Sequence, residues 1–195
     1  KVLGQISAGD VDVEAGRIVY TQWLNERGGI EADVTITRLA ADRFMVVTGP
    51  ASQTRDLAWL RRHIPDDARA HVADASAGLA MLALMGPQSR DLLARLSGED
   101  LSNEAFQFGS AREIEIGYAR VLAQRITYVG ELGWELYVPA DFAQHVFDRI
   151  VDAGGDVLHH AGYFAINSLR MEKGYRHWGH DIGEEDTPIE AGLGF

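Results

Sequence analysis

From residue 30 to residue 37 the chain alternates without a break: Ile30, Ala32, Val34 and Ile36 are apolar, while Glu31, Asp33, Thr35 and Thr37 are polar or charged. Period two marks a strand with one buried face, because successive side chains leave a pleated backbone on opposite sides. Residues 17–24, rich in β-branched and aromatic side chains, precede this run. Between the two lies Asn25-Glu26-Arg27-Gly28-Gly29, whose glycines can take positive φ. The two runs predict a β-hairpin, and the alternation turns Asp33 away from the apolar face.

The rest of the chain adds strands and helices in no regular rhythm. A third strand is expected over 44–48, then a helix over 53–63 capped by Ser52, with Leu57, Leu60 and Ile64 at helical spacing. Residues 78–85 are almost continuously apolar and end at Gly86-Pro87. That is the pattern of a strand buried on both faces, followed by a proline-started helix over 87–96. Strands follow over 113–117, 119–128 and 134–138, the last two joined by the glycine-framed turn Val129-Gly130-Glu131-Leu132-Gly133. A helix capped by Asp141 and striped with Phe142, Val146, Ile150 and Val151 runs through Ala153 and stops at Gly154-Gly155, and a last helix covers 163–173. This order lacks the β-α-β-α beat of a doubly wound parallel sheet, so the fold class is α+β, and any subdomains within its 195 residues are interleaved.

Composition removes several functions. A net charge of -11 with no basic patch argues against nucleic acid, and no apolar stretch is long enough for a membrane helix. With no cysteine there is no disulfide framework, zinc ribbon, iron-sulfur site or thiol nucleophile, and a reducing compartment is compatible. The chain opens on Lys1 without methionine and stops on the apolar Phe195, so it reads as part of something longer.

Most chemical motifs fail on inspection. Asp10-Val11-Asp12-Val13-Glu14-Ala15-Gly16 alternates oxygen ligands, but a calcium loop needs its glycine one place earlier and a glutamate where Thr21 stands. No dinucleotide fingerprint, phosphate loop or nucleophile elbow is present. His159-His160 and His177-Trp178-Gly179-His180-Asp181 could offer imidazoles and a carboxylate to zinc or iron, yet the other ligands would have to come from distant positions, and no metal is assigned. Three charged residues stand out by context: Asp33 beside the diglycine turn, Glu131 in its glycine-framed turn, and Arg170 among Ile166, Leu169 and Met171. Composition and spacing leave each open to an ordinary reading as a strand-surface aspartate, a turn glutamate and a snorkelling arginine.

Three blocks carry a resemblance. Residues 20–33, Tyr-Thr-Gln-Trp-Leu-Asn-Glu-Arg-Gly-Gly-Ile-Glu-Ala-Asp, resemble the folate-site signature of the glycine-cleavage T-protein (aminomethyltransferase) superfamily. Residues 128–136 and 168–178 resemble the C-terminal folate domains of dimethylglycine and sarcosine dehydrogenases, and Thr187-Pro188-Ile189-Glu190-Ala191-Gly192-Leu193 fits them too. The blocks keep the family order and span nearly the whole chain.

The resemblance implies a folate-binding domain of ferredoxin-like subdomains, incomplete at both ends. An FAD domain would lie upstream, a barrel-like domain would follow, and tetrahydrofolate would be the cofactor. The implied partners are the folate and an amine-derived one-carbon donor, with no nucleic acid and no membrane, in the cytoplasm or a mitochondrial matrix. Asp33 matches the carboxylate beside the reactive folate nitrogens, Glu131 a pterin-binding glutamate, Tyr128 a pocket residue and Arg170 an arginine near folate. The family usually has two adjacent acids after the turn; here Ala32 stands before the lone Asp33. The activity implied is formation of methylene-tetrahydrofolate within a dehydrogenase-like enzyme. The alternatives are a free-standing aminomethyltransferase and a non-enzymatic folate-binding protein. The iron-sulfur-maturation relatives of the latter kind resemble a Lys-Gly-Cys-Tyr motif that this chain lacks.

Overall fold

The structure is a computed structural model that describes residues 2–194. The chain divides into two compact units, one taking the sequence as far as Asp74 and again from Arg176, the other Ala75–Tyr175.

The first unit begins with α1 (Val2–Ile6), then β1 (Ile18–Leu24), β2 (Ile30–Ala40) and β3 (Arg43–Val47) in an antiparallel sheet of order β1-β2-β3, and α2 (Gln53–Arg62). Asn25 closes the hairpin: its Oδ1 accepts the backbone N–H groups of Arg27 and Gly29, each at 3.0 Å. Gly28 has φ +80°, and a Cβ on Gly29 would collide with the Glu184 carbonyl, so both glycines are required. The register pairs Trp23 with Ala32 and Gln22 with Asp33. Trp23, Ala32, Val34 and Ile36 are all buried, packed with Ile6, Val11 and Leu60. A one-residue slip would exchange this face for Glu31 and Asp33 and forfeit about 1.5–3 kcal/mol per buried aliphatic side chain, so parity fixes where Asp33 points.

The returning segment straps the hairpin. Ile30 donates its N–H to the Asp186 carbonyl at 2.9 Å, Trp178 donates its indole N–H to the Ile30 carbonyl at 2.8 Å, and Ile30, Ile182 and Ala191 form a second small core. Ser52 stands at the N-cap of α2, but its hydroxyl caps no amide and lies 2.6 Å from Asp56 Oδ2. The buried Asp56 carboxylate, also bonded by Thr48, orients the Ser52 hydroxyl through a charge-assisted hydrogen bond.

The second unit contains β4 (Leu79–Met85), α3 (Ser89–Ala94), β5 (Ala111–Ile116), β6 (Ala119–Gln124), β7 (Gly133–Pro139), α4 (Ala143–Gly154) and α5 (Tyr163–Glu172). Its sheet is antiparallel with order β4-β7-β6-β5. One face, carrying Leu84, Ile114, Val121, Trp134, Leu136 and Val138, is covered by Leu92 and Leu93 of α3 and Val146 and Ile150 of α4. The expected doubly buried strand is therefore an edge strand: only Leu84 of β4 is buried, and Met81 is 51% exposed. A short continuous apolar run does not by itself say how many faces are covered. α3 starts at Ser89, not at Pro87, and α4 starts after a 3-10 turn, Ala140–Phe142, that contains Asp141 and leaves it no cap to make. β6 stops at Gln124, so residues 125–132 form a connection outside the sheet.

Candidate functional site

In the first unit Asp33 projects from β2 on the face opposite the core, half-buried. Gln22, directly across on β1, donates its Nε2 to Asp33 Oδ1 at 3.0 Å, and the Tyr20 hydroxyl also hydrogen-bonds the carboxyl. Burial pushes the carboxyl above the usual aspartate range, and the two donors pull it back only in part. Gln22 is itself 4% exposed. With Ala8, Gly9, Tyr20, Thr21, Pro188, Leu193 and Gly194 it lines a cavity of about 230 Å³, so the polar face of this hairpin meets a recess formed by the returning segment. Asp33 reaches the recess through Gln22 and is not one of its wall residues. Glu31, on the same face, is engaged by Arg55 at 2.6 Å, and the Arg55 guanidinium stacks on Trp178 at 4.6 Å.

The other predicted residues belong to the second unit. Glu131 lies on the connection into β7, 40% exposed, and receives the Lys173 ammonium at 3.0 Å. The carboxylate in turn raises the Lys173 pKa. Gly130 has φ +68°, and any Cβ there would strike the Lys173 side chain, so glycine permits this close pairing. Glu131 lines a cavity of about 290 Å³ with Phe108, Arg125, Thr127, Gly130, Leu132, Gly133 and Tyr175. Tyr128 stands on the same connection, half-buried, and is not among those wall residues. Arg170 is 3% exposed; Nε and Nη2 donate to Asn167 Oδ1 at 2.9 and 2.6 Å and Nη1 donates to the Tyr175 carbonyl at 2.8 Å. It is a buried brace at the end of α5, not the snorkelling arginine that its sequence context allows.

One carboxyl was missed by the sequence reading. Glu135 points from β7 to the face opposite Trp134, Leu136 and Val138, and the Tyr137 hydroxyl donates to its Oε2 at 2.6 Å. Burial raises the Glu135 carboxyl, and burial together with the adjacent carboxylate raises the Tyr137 phenol strongly. The signal was available: residues 134–138 alternate as residues 30–37 do, with Glu135 and Tyr137 on the odd face. Among the described residues no group of histidines and acids gathers as a metal site, and no helix is long and apolar enough to cross a membrane.

Comparison with known proteins agrees with this architecture. The GCVT N-terminal domain family matches residues 1–195, and the chain belongs to that family. It is 48% identical to 4-methylaminobutanoate oxidase (formaldehyde-forming) of Paenarthrobacter nicotinovorans over 196 residues, covering 100% of this chain and 24% of that protein. It is 39% identical to the mitochondrial sarcosine dehydrogenase of Mus musculus, covering 100% of this chain and 23% of that protein. The solved glycine cleavage system aminomethyltransferase T from Bartonella henselae superposes with TM-score 0.84 at 31% identity, over 98% of this chain and 50% of the other. The chain thus spans about a quarter of the length of these two curated relatives. It is an aminomethyltransferase-type domain, and its two antiparallel sheets are those of the T-protein fold.

Proposed function

We propose that this domain binds tetrahydrofolate and, within a longer flavin-dependent enzyme that oxidises an N-methyl amine, captures the amine-derived one-carbon unit as methylene-tetrahydrofolate. The observation that carries the reading is the placement of Asp33, a half-buried carboxyl of raised proton affinity on the non-core face of a hairpin, hydrogen-bonded to Gln22, which lines a recess. The relatives named 4-methylaminobutanoate oxidase (formaldehyde-forming) and sarcosine dehydrogenase favour an amine donor, and the flavin domain upstream is part of the proposal. Similarity to a free-standing aminomethyltransferase supports the second reading, transfer from a carrier-bound aminomethyl group. The upstream coding sequence separates the two, because a dinucleotide fingerprint there belongs only to the first.

Taken one by one, the assigned residues have the chemistry that a folate calls for: carboxylates that accept N–H donors and oppose positive charge. When bound, it supplies two nitrogens that take up the methylene carbon of an iminium, and the two protons they give up leave on the released amine. Asp33 is assigned as the carboxylate that lowers the energy of that positive charge and accepts a nitrogen-borne proton. Glu131 is assigned as acceptor for the paired N–H donors of an aminopyrimidinone, sharing or releasing Lys173 as it does so. Tyr128 is assigned to the pterin surroundings on the same connection. Arg170 is assigned through Tyr175, whose carbonyl it holds and whose residue lines the Glu131 cavity.

The test uses the full-length protein with tetrahydrofolate and an N-methyl amine. Asp33→Asn is expected to cut methylene-tetrahydrofolate formation about 10²–10⁴-fold with amine oxidation retained. Unchanged formation in a folded variant overturns the assignment.

A further inference from the structure

We infer that Gln22 is the positioning residue for Asp33: its side-chain amide fixes the orientation and ionisation of that carboxyl. The inference rests on the reading of Asp33 given above. Gln22 and Asp33 are a directly opposed pair in the β1-β2 register, so their side chains leave the sheet on the same face at the distance where a cross-strand contact forms. A carboxylate only accepts, so the amide must present its NH₂, and Nε2 stands 3.0 Å from Oδ1. Gln22 is 4% exposed and stands in the wall of the recess with Thr21, Pro188 and Leu193, so its amide is largely withdrawn from competing bulk water. A buried amide whose donor is committed to one oxygen holds the carboxyl plane in place. It also stabilises the ionised form against the burial that opposes it.

Few other groups compete for this role. Tyr20 is the second donor to the carboxyl and is 37% exposed, hence the less constrained of the two. On β2 itself Glu31 is committed to Arg55 and Thr35 carries no charge; β3 presents Val47 opposite Thr35; on the returning segment the Glu190 carboxylate is bonded by Thr187. No charged neighbour is therefore set to shift Asp33 as directly as the amide does.

The experiment compares full-length wild type, Gln22→Met, Gln22→Glu and Asp33→Asn. It measures the pH dependence of tetrahydrofolate affinity by calorimetry and of single-turnover methylene transfer, with thermal melting to confirm folding. Two or three hydrogen bonds to a carboxylate lower its pKa by about two units, so losing one raises it by roughly one. In Gln22→Met the acid limb of binding and of transfer is expected to move up by about one pH unit. In Gln22→Glu it is expected to move further, because a like charge disfavours ionisation. A purely structural Gln22 would lower affinity equally at every pH. If Asp33→Asn removes the acid limb while folded Gln22→Met keeps the wild-type midpoint, the inference about Gln22 is overturned and the reading of Asp33 stands. If Asp33→Asn keeps the wild-type limb, the reading of Asp33 falls and the inference falls with it.

Discussion

Moving the acid of β2 back by one residue, to position 32, separates strand parity from mere proximity in sequence. Ala32 is 1% exposed, lies opposite Trp23, and shares its face with the buried Val34 and Ile36. A carboxyl placed there by Ala32→Asp cannot reach solvent without breaking the sheet, so it must be protonated or unpaired inside an apolar cluster. Protonating an ordinary aspartate at pH 7 costs about 4 kcal/mol, from ~1.36 kcal/mol for each of roughly three units, and burying the neutral acid adds about 1–3 kcal/mol. The total rivals the whole stability of a typical domain, about 5–15 kcal/mol. Hydrogen exchange of the β1 and β2 amides reads this directly: 4 kcal/mol corresponds to about a thousandfold faster exchange at pH 7. The folded-state pKa of the new acid lies above its unfolded value. The penalty is therefore small below the unfolded pKa and grows as pH rises, so acceleration at pH 4.5 must be clearly weaker. A double change Ala32→Asp/Asp33→Ala must not recover methylene transfer. Exchange within tenfold of wild type at pH 7, or transfer rescued by the shifted acid, would refute the argument from parity.

Three further outcomes follow from the second unit. Glu131→Gln should weaken tetrahydrofolate binding in a calorimetric titration while leaving the melting temperature essentially unchanged, because its ion pair with Lys173 is exposed; equal affinity removes Glu131 from the site. Arg170→Met strips donors from Asn167 and Tyr175 in a buried setting and should cost about 2 kcal/mol or more in denaturant unfolding. Tyr137→Phe withdraws the donor that favours ionised Glu135, so the Glu135 pKa, already raised by burial, rises further. Its deficit of about 1.5 kcal/mol should be present at pH 7–8 and shrink as pH falls toward the unfolded glutamate value; a pH-independent deficit contradicts the assignment.

Strand parity and turn chemistry were legible in the sequence, whereas which faces of a strand are covered and which group takes a capping side chain were not. The hairpin of β1 and β2 follows from alternation and a diglycine turn, and the direction of Asp33 needs no more than the parity of Ala32, Val34 and Ile36. The apolar run of β4 looks buried on both sides, but its neighbour β7 arrives from about fifty residues later and covers one edge only. Ser52 and Asp141 are ordinary capping types in ordinary places, yet Ser52 is taken by the buried Asp56 and Asp141 is absorbed into a 3-10 turn.

The two glutamates of the second unit show the same division. Glu131 attracts notice because glycines frame it, a feature of the turn. The sheet withdraws Glu135 and supplies Tyr137 as its donor, and that setting exists only once β6 and β7 have paired. A carboxyl in a turn is free to exchange partners, as its contact with Lys173 already requires, whereas one on a central strand has its geometry set by its neighbours on both sides. Asp33 stands between the two kinds: pairing with β3 begins only at Thr35, so its strand neighbour is Gln22 of β1, and that direct opposition, with a 3.0 Å hydrogen bond, is the contact that positions the carboxyl.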